Sequence, residues 1–194
     1  VAAPLREMGA VIDCREGRPP VRVKGGGLTG ITYRLPVASA QLKSALLLAG
    51  LQADGVTRVT EPAPSRDHTE RLLARTGADI VSEKGAWEVR RSVPVLPESF
   101  QVPGDPSSAA FFLCAAPVIP GSEVTARGVL LNPTRLGYLR VLERMGVLIA
   151  VEEEGRDPEP WGRIRATFSP DLKACLVAQE EIPQLVDEVP VLAL

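Results

Sequence analysis

Aromatic residues are scarce: phenylalanine, tryptophan and tyrosine together make up 4% of the 194 residues. That is too few for a surface that stacks nucleic-acid bases. Excess positive charge is also lacking, because the net charge is −2 at pH 7 and gripping a phosphate backbone needs a basic face. Nucleic acid is therefore not expected as a partner. Cysteine is limited to Cys14, Cys114 and Cys175, far apart and without a CxxC pair. Neither a disulfide framework nor a zinc site follows, and a reducing cytoplasm is the natural setting. The single histidine, His68, cannot make a metal site without further ligands and reads as a residue that holds its loop. No apolar run approaches the ~18 residues of a membrane-spanning helix. The first residues lack the basic start and apolar stretch of a secretory signal, so neither membrane nor secretion is expected. What remains is an ordinary globular composition, 45% hydrophobic and 24% charged, with length for one good core or two small ones.

What is present is repetition. Leu5 to Ile12, Leu73 to Ile80 and Leu142 to Ile149 resemble one another, with Gly9, Gly77 and Gly146 spaced 68 and 69 residues apart. Each segment reads as a helix with a charged last turn, a C′ glycine and an apolar strand. A second landmark has nearly the same period. Pro36, Pro103 and Pro183 lie 67 and 80 residues apart, and each precedes an apolar, helix-like stretch: Ala38 to Leu51, Pro106 to Ala116, and Val186 to Leu194. The longer interval places an insertion in the acidic run Glu152 to Pro160 and the segment up to Glu181. Asp105-Pro106 and Asn132-Pro133 read as helix starts, with a capping side chain before a proline at the first helical position. Asp67 and Glu70 fit a capping box. Lys84-Gly85 marks a hairpin turn, and so does the glycine-rich run Lys24 to Gly30, which lacks the Gly-Lys-Ser/Thr of a phosphate loop. Each unit thus reads βαβαββ, in an α/β fold. The helix around Ala45-Leu46-Leu47-Leu48-Ala49 is apolar nearly all round, as buried helices are, so small sheets are expected around a helical centre. Units stand incomplete at both ends, and the chain reads as an internal fragment.

Three constellations could carry chemistry. Ser39 sits at the N-cap of the helix beginning near Ala40 and Gln41, where outward amides and a hydroxyl make an anion site; it also fits a plain cap on a buried helix. Arg66, at the start of the next helix, is ill placed for the helix dipole. A bound phosphate would justify it, and so would a surface pairing with Asp67 or Glu70. Asp187 and Glu188 enter an apolar stretch, where burial would prepare a carboxylate for proton transfer; alternatively one caps the helix and the other is solvated.

Val37 to Leu51, Ser65-Arg66-Asp67-His68-Thr69-Glu70, Val102 to Phe112 and Val186 to Ala193 together resemble, in order, successive signatures of bacterial enolpyruvylshikimate-phosphate synthases. The resemblance spans nearly the whole chain. It implies the enolpyruvyl transferase fold, an inside-out α/β barrel of two domains built from βαβαββ units, each domain incomplete here. Residues 1–103 would be the later part of the first domain and residues 104–194 the opening part of the second. It implies transfer of the enolpyruvyl group of phosphoenolpyruvate to the 5-hydroxyl of shikimate 3-phosphate, with release of phosphate and no metal or organic cofactor, by an enzyme that is a monomer at full length. By the same resemblance Ser39, the Ala40 backbone and Gln41 bind shikimate 3-phosphate, and Gln41 also reaches phosphoenolpyruvate. Arg66 contacts the shikimate phosphate, Asp187 binds the attacking hydroxyl and moves a proton, and Glu188 is its neighbour. The family's other cationic motifs lie outside these residues, so the chain is expected to be inactive alone. Two other readings remain: a UDP-N-acetylglucosamine enolpyruvyl transferase of the same superfamily, and a catalytically silent anion-binding fragment.

Overall fold

Glycine decides where the repeated helices stop. A computed structural model describes residues 1–194, and in it Gly9, Gly77 and Gly146 all adopt positive φ, 102°, 74° and 97°. The amide after each glycine bonds back five residues, Ala10 to Leu5, Ala78 to Leu73 and Val147 to Leu142. This is the Schellman closure, which an L side chain at the glycine would strain. Three helices therefore end alike and each feeds a strand, as the sequence predicts.

The chain divides into two compact units, Val1–Glu98 and Ser99–Leu194. The first begins with helix α1 (Ala2–Glu7) and the hairpin β1 (Val11–Arg15) and β2 (Arg18–Lys24). A complete βαβαββ unit comes next: β3 (Thr32–Arg34), α2 (Ala40–Gly50), β4 (Val56–Thr60), α3 (His68–Arg75), β5 (Ile80–Glu83) and β6 (Ala86–Arg90). The strand order is β3-β4-β6-β5, with β3 and β4 parallel and the other pairs antiparallel. Leu46, Leu47, Val59, Leu73 and Val89 close its core. The helix α2 is buried along Leu46, Leu47 and Gly50, as its apolar run predicts.

The second unit holds α4 (Pro106–Val118), β7 (Glu123–Leu130), α5 (Gly137–Arg144), β8 (Ile149–Gly155), β9 (Trp161–Thr167) and α6 (Val189–Leu192). Its strand order is β7-β9-β8, antiparallel throughout. Gly104 makes a parallel bridge to Val129 of β7. That bridge stands where β3 stands beside β4, so the second sheet repeats the first with its leading strand reduced to one residue. Leu113, Tyr138, Val141, Ile164 and Leu185 lie in its core. No helix of either unit is long and apolar enough to cross a membrane.

Several local expectations change. Lys24 to Gly30 does not turn a hairpin: it carries the chain from β2 to β3, which belong to different sheets. The β1–β2 turn lies instead at Glu16-Gly17, both with positive φ. Asn132 does cap, accepting from the Thr134 amide at 2.9 Å, but it caps a 3-10 turn, Pro133–Arg135, and α5 starts later. Asp67 takes the N-cap position of α3 without a side-chain capping bond and accepts instead from Arg71 Nε at 2.9 Å. The expected helix over Val186 to Leu194 shortens to α6, preceded by a 3-10 segment, Gln179–Gln184. The extra length of the second interval falls in the β8–β9 turn and in residues 168–178, which form no helix or strand.

Candidate functional site

The N-terminus of α2 is built as an anion site would be. Ser39 is extended (φ −143°, ψ 103°) and its Oγ accepts from the Leu42 amide at 3.3 Å. Its carbonyl takes the first helical bond, from Lys43 N–H at 3.0 Å. The amides of Ala40 and Gln41 belong to the first turn, where the helix itself offers no acceptor. Gln41 is exposed and Ser39 and Ala40 are half-buried, so this turn is open to solvent.

One turn further, Lys43 points inward. It is only 1% exposed, with its Nζ 2.9 Å from Glu61 Oε1 and 2.7 Å from Glu70 Oε1. The Glu61 contact is a hydrogen bond, whereas the Glu70 contact is an ion pair without hydrogen-bond alignment. Burial pushes the Glu70 carboxyl above its ordinary value, outweighing the adjacent Lys43 ammonium, which acts the other way. Glu61 uses its second oxygen as well: Ser65 Oγ donates to Oε2 at 2.6 Å. Ser44 and Thr69 hydroxyls meet at 2.7 Å. These links bring the Ser39–Gln41 turn and the half-buried Arg66 into one unit, tied through Lys43, Glu61 and Ser65.

Asp187 lies in the second unit. On the turn between the 3-10 segment and α6, Leu185 is 1% and Glu188 2% exposed, while Asp187 faces solvent. The apolar setting that sequence suggests for both carboxylates therefore holds for Glu188 alone. Glu188 accepts from Ser107 Oγ in the first turn of α4. Arg135 Nη2 donates to Ser107 Oγ at 2.8 Å and to Asp105 Oδ1 at 2.6 Å. Asp105 in turn caps α4, accepting from the amides of Ser107 (3.4 Å) and Ser108 (3.1 Å). Burial raises Asp105, but the Ser108 hydrogen bonds and the Arg135 charge prevail and hold it below the ordinary carboxylate value. Cys114 goes the other way: burial first, then the Glu188 charge, push its thiol up to about 11, which leaves it an inert thiol rather than a nucleophile.

Sequence reasoning missed Lys43, Glu61, Ser65, Ser107 and Arg135. Two of them left a signal. Lys43 is the one charge in the apolar run Ala38 to Leu51, and Arg135 comes 69 residues after Arg66, the interval from Gly77 to Gly146. No group of three or more His, Cys, Asp or Glu side chains is placed to hold a metal ion.

The model of one protein family, described as EPSP synthase (3-phosphoshikimate 1-carboxyvinyltransferase), matches residues 1–194. The chain belongs to the EPSP synthase family. Among its family relatives, the 3-phosphoshikimate 1-carboxyvinyltransferase of Thermus thermophilus is 54% identical over 196 residues, covering 100% of this chain and 46% of the relative. That of Bacillus licheniformis is 49% identical over 197 residues with the same coverage. The chain thus spans about half the length of the curated relatives it matches. The solved EPSP synthase of Acinetobacter baumannii superposes with a TM-score of 0.85 at 43% identity, over 97% of this chain and 43% of that one. The enolpyruvyl transferase NikO of Streptomyces tendae shares the fold, with a TM-score of 0.65 at 18% identity over 86% of this chain and 41% of its own. In the EPSP synthase family, then, this stretch supplies one whole βαβαββ unit and a second that repeats its sheet order.

Proposed function

We propose that these residues are part of an enzyme that transfers the enolpyruvyl group of phosphoenolpyruvate to the 5-hydroxyl of shikimate 3-phosphate and releases phosphate. The observation that carries this reading is the family match across every residue of the chain. The Thermus, Bacillus and Acinetobacter relatives lend no support to a UDP-sugar substrate. The Ser39 hydroxyl, the Ala40 amide, the Gln41 side chain and Arg66 bind shikimate 3-phosphate. They do so at an open helix N-terminus, where donors and dipole both favour an anion. Arg66 grips the phosphate with its planar fork, and Gln41 extends towards phosphoenolpyruvate. Asp187, exposed at the start of α6, accepts a hydrogen bond from the attacking hydroxyl and receives its proton.

The chemistry proceeds by addition and elimination. Protonation of the phosphoenolpyruvate methylene carbon makes its neighbour electrophilic, and the hydroxyl oxygen bonds there as its proton departs. The tetrahedral intermediate then expels phosphate, and loss of a methyl proton restores the double bond. Both substrates carry several negative charges, so donors aimed at them stabilise the reacting state most. The reaction needs no metal or organic cofactor, and the enzyme acts as a monomer in the cytoplasm with no membrane or nucleic-acid partner.

Phosphate release from both substrates tests this in the intact enzyme that contains these residues. Asp187→Asn keeps the shape and an acceptor oxygen but cannot take a proton. It should lower kcat by about 10²–10⁴-fold, the usual range for a positioned acid–base group, while shikimate 3-phosphate affinity holds. The 194 residues alone should give no turnover. Release with UDP-N-acetylglucosamine in place of shikimate 3-phosphate would overturn the substrate; normal kcat in Asp187→Asn would overturn the role of Asp187.

A further inference from the structure

Two arms of the proposed phosphate cradle come from different elements. One is the first turn of α2, with Ser39, Ala40 and Gln41; the other is Arg66, in the loop between β4 and α3. A phosphate ester is rigid and small, so gripping it from both sides requires a fixed separation between the arms. Loops of this kind are the mobile part of most folds, and a long arginine side chain is costly to order.

The side chain between the arms is Glu61. Its Oε1 accepts from Lys43 Nζ at 2.9 Å and its Oε2 accepts from Ser65 Oγ at 2.6 Å. Each donor is close to one arm. Lys43 N–H bonds to the Ser39 carbonyl, so the lysine backbone is tied to the cap of α2. Ser65 immediately precedes Arg66. With Glu61 12% and Lys43 1% exposed, water competes weakly for either link, and charge-assisted bonds are strong in such surroundings. Glu61 therefore bridges the two arms through both carboxylate oxygens. A buried lysine facing two carboxylates is weak evidence for stability, so a positioning role accounts for this arrangement better than a stabilising one.

We propose that Glu61 is a positioning residue for substrate phosphate: through Lys43 and Ser65 it sets the span between the α2 N-terminus and Arg66. This rests on Arg66 binding the shikimate phosphate, as proposed for the reaction. The prediction is that weakening the bridge costs affinity for shikimate 3-phosphate only while Arg66 is there to be misplaced.

A double-mutant cycle in the intact enzyme reads this directly, with shikimate 3-phosphate titrated against the purified proteins. Ser65→Ala removes one hydroxyl from a half-buried position and should leave the fold in place, whereas Lys43→Met would strand two carboxylates and is unsuitable. Ser65→Ala should raise Kd by about fivefold or more, the scale of one lost charge-assisted hydrogen bond. Ser65→Thr, which keeps the hydroxyl, should restore most of the affinity. In an Arg66→Ala background, Ser65→Ala should change Kd by less than about twofold, because the loss passes through the arginine. Glu61→Gln keeps an acceptor for Lys43 and gains an amide that can donate to Ser65 Oγ, so it should cost less affinity than Ser65→Ala. Equal costs with and without Arg66, or no cost in either background, would overturn the proposal. If Arg66→Ala alone leaves Kd unchanged, the phosphate-binding role of Arg66 falls; Asp187→Asn still tests the reaction separately.

Discussion

Glu70 has 0% exposure and shares a single cation, Lys43, with Glu61. Its raised carboxyl value has a consequence for stability. A group whose folded value lies above its unfolded one binds protons more readily in the folded state. The stability it contributes is complete below the ordinary carboxylate value and is lost as pH rises through the raised one. Glu70→Gln removes this titration and leaves Lys43 paired with Glu61. Unfolding free energy measured from mildly acid to neutral pH should therefore fall less with rising pH in Glu70→Gln than in the wild type. The gain should appear above the ordinary carboxylate range and vanish below it. Parallel curves would mean that burial and the Lys43 charge cancel at Glu70, and a wild type that gains on Glu70→Gln as pH rises would mean that the Lys43 charge governs. Glu188 is a different case: it is buried yet hydrogen-bonded by Ser107, while the adjoining Asp187 faces solvent. Two adjacent residues thus differ in kind, one buried and anchoring the turn to α4, the other exposed.

At the scale of elements, most of the first unit is legible in the sequence. The C′ glycines, the caps Ser39 and Asp105, and the Lys84-Gly85 turn depend on local backbone chemistry, which a sequence displays. Lys24 to Gly30 misleads because glycine permits a turn without saying which sheet the next strand joins. Val186 to Leu194 misleads because an apolar run has no period to distinguish a helix from a chain of turns. The Lys43, Glu61 and Ser65 links are illegible for another reason: they join residues from separate elements, and no local pattern encodes them. Gly50 illustrates the same limit. Alanine is favoured over glycine inside a helix by up to about 1 kcal/mol, so the sequence alone suggests that Gly50→Ala stabilises α2. In the fold, an added Cβ would lie 2.5 Å from Val89 Cγ1 and 2.9 Å from Thr57 Cβ. Overpacking of this kind costs about 1–3 kcal/mol, and it outweighs the propensity. Gly50→Ala should lower the Tm, and adding Val89→Ala should recover part of the loss; a rise in Tm with Gly50→Ala alone would show that the sheet yields.

At the scale of the whole molecule, the two units have separate cores. The residues that close the first run from Met8 to Val89, and those that close the second run from Ala110 to Leu185. Each core has its own sheet, and each sheet has its own helices packed on it. Hydrophobic stabilisation is proportional to the apolar surface that a residue's own neighbours remove from water. Damage to one core should then stay in that unit. Leu47 is fully buried in the first, and its truncation to alanine should cost about 2–5 kcal/mol, the range for a leucine that leaves a cavity behind. Hydrogen exchange resolves where that cost falls, because opening free energies differ between cooperative blocks of one chain. In Leu47→Ala, amides of α2, β4 and β6 should lose protection, while those of α4 and β9 keep theirs. Ile164→Ala, at a fully buried position of β9, should give the reverse pattern. Loss of protection across both units from either substitution would mean that the 194 residues unfold as one block, and that the repeat seen in sequence and topology is not a repeat in stability.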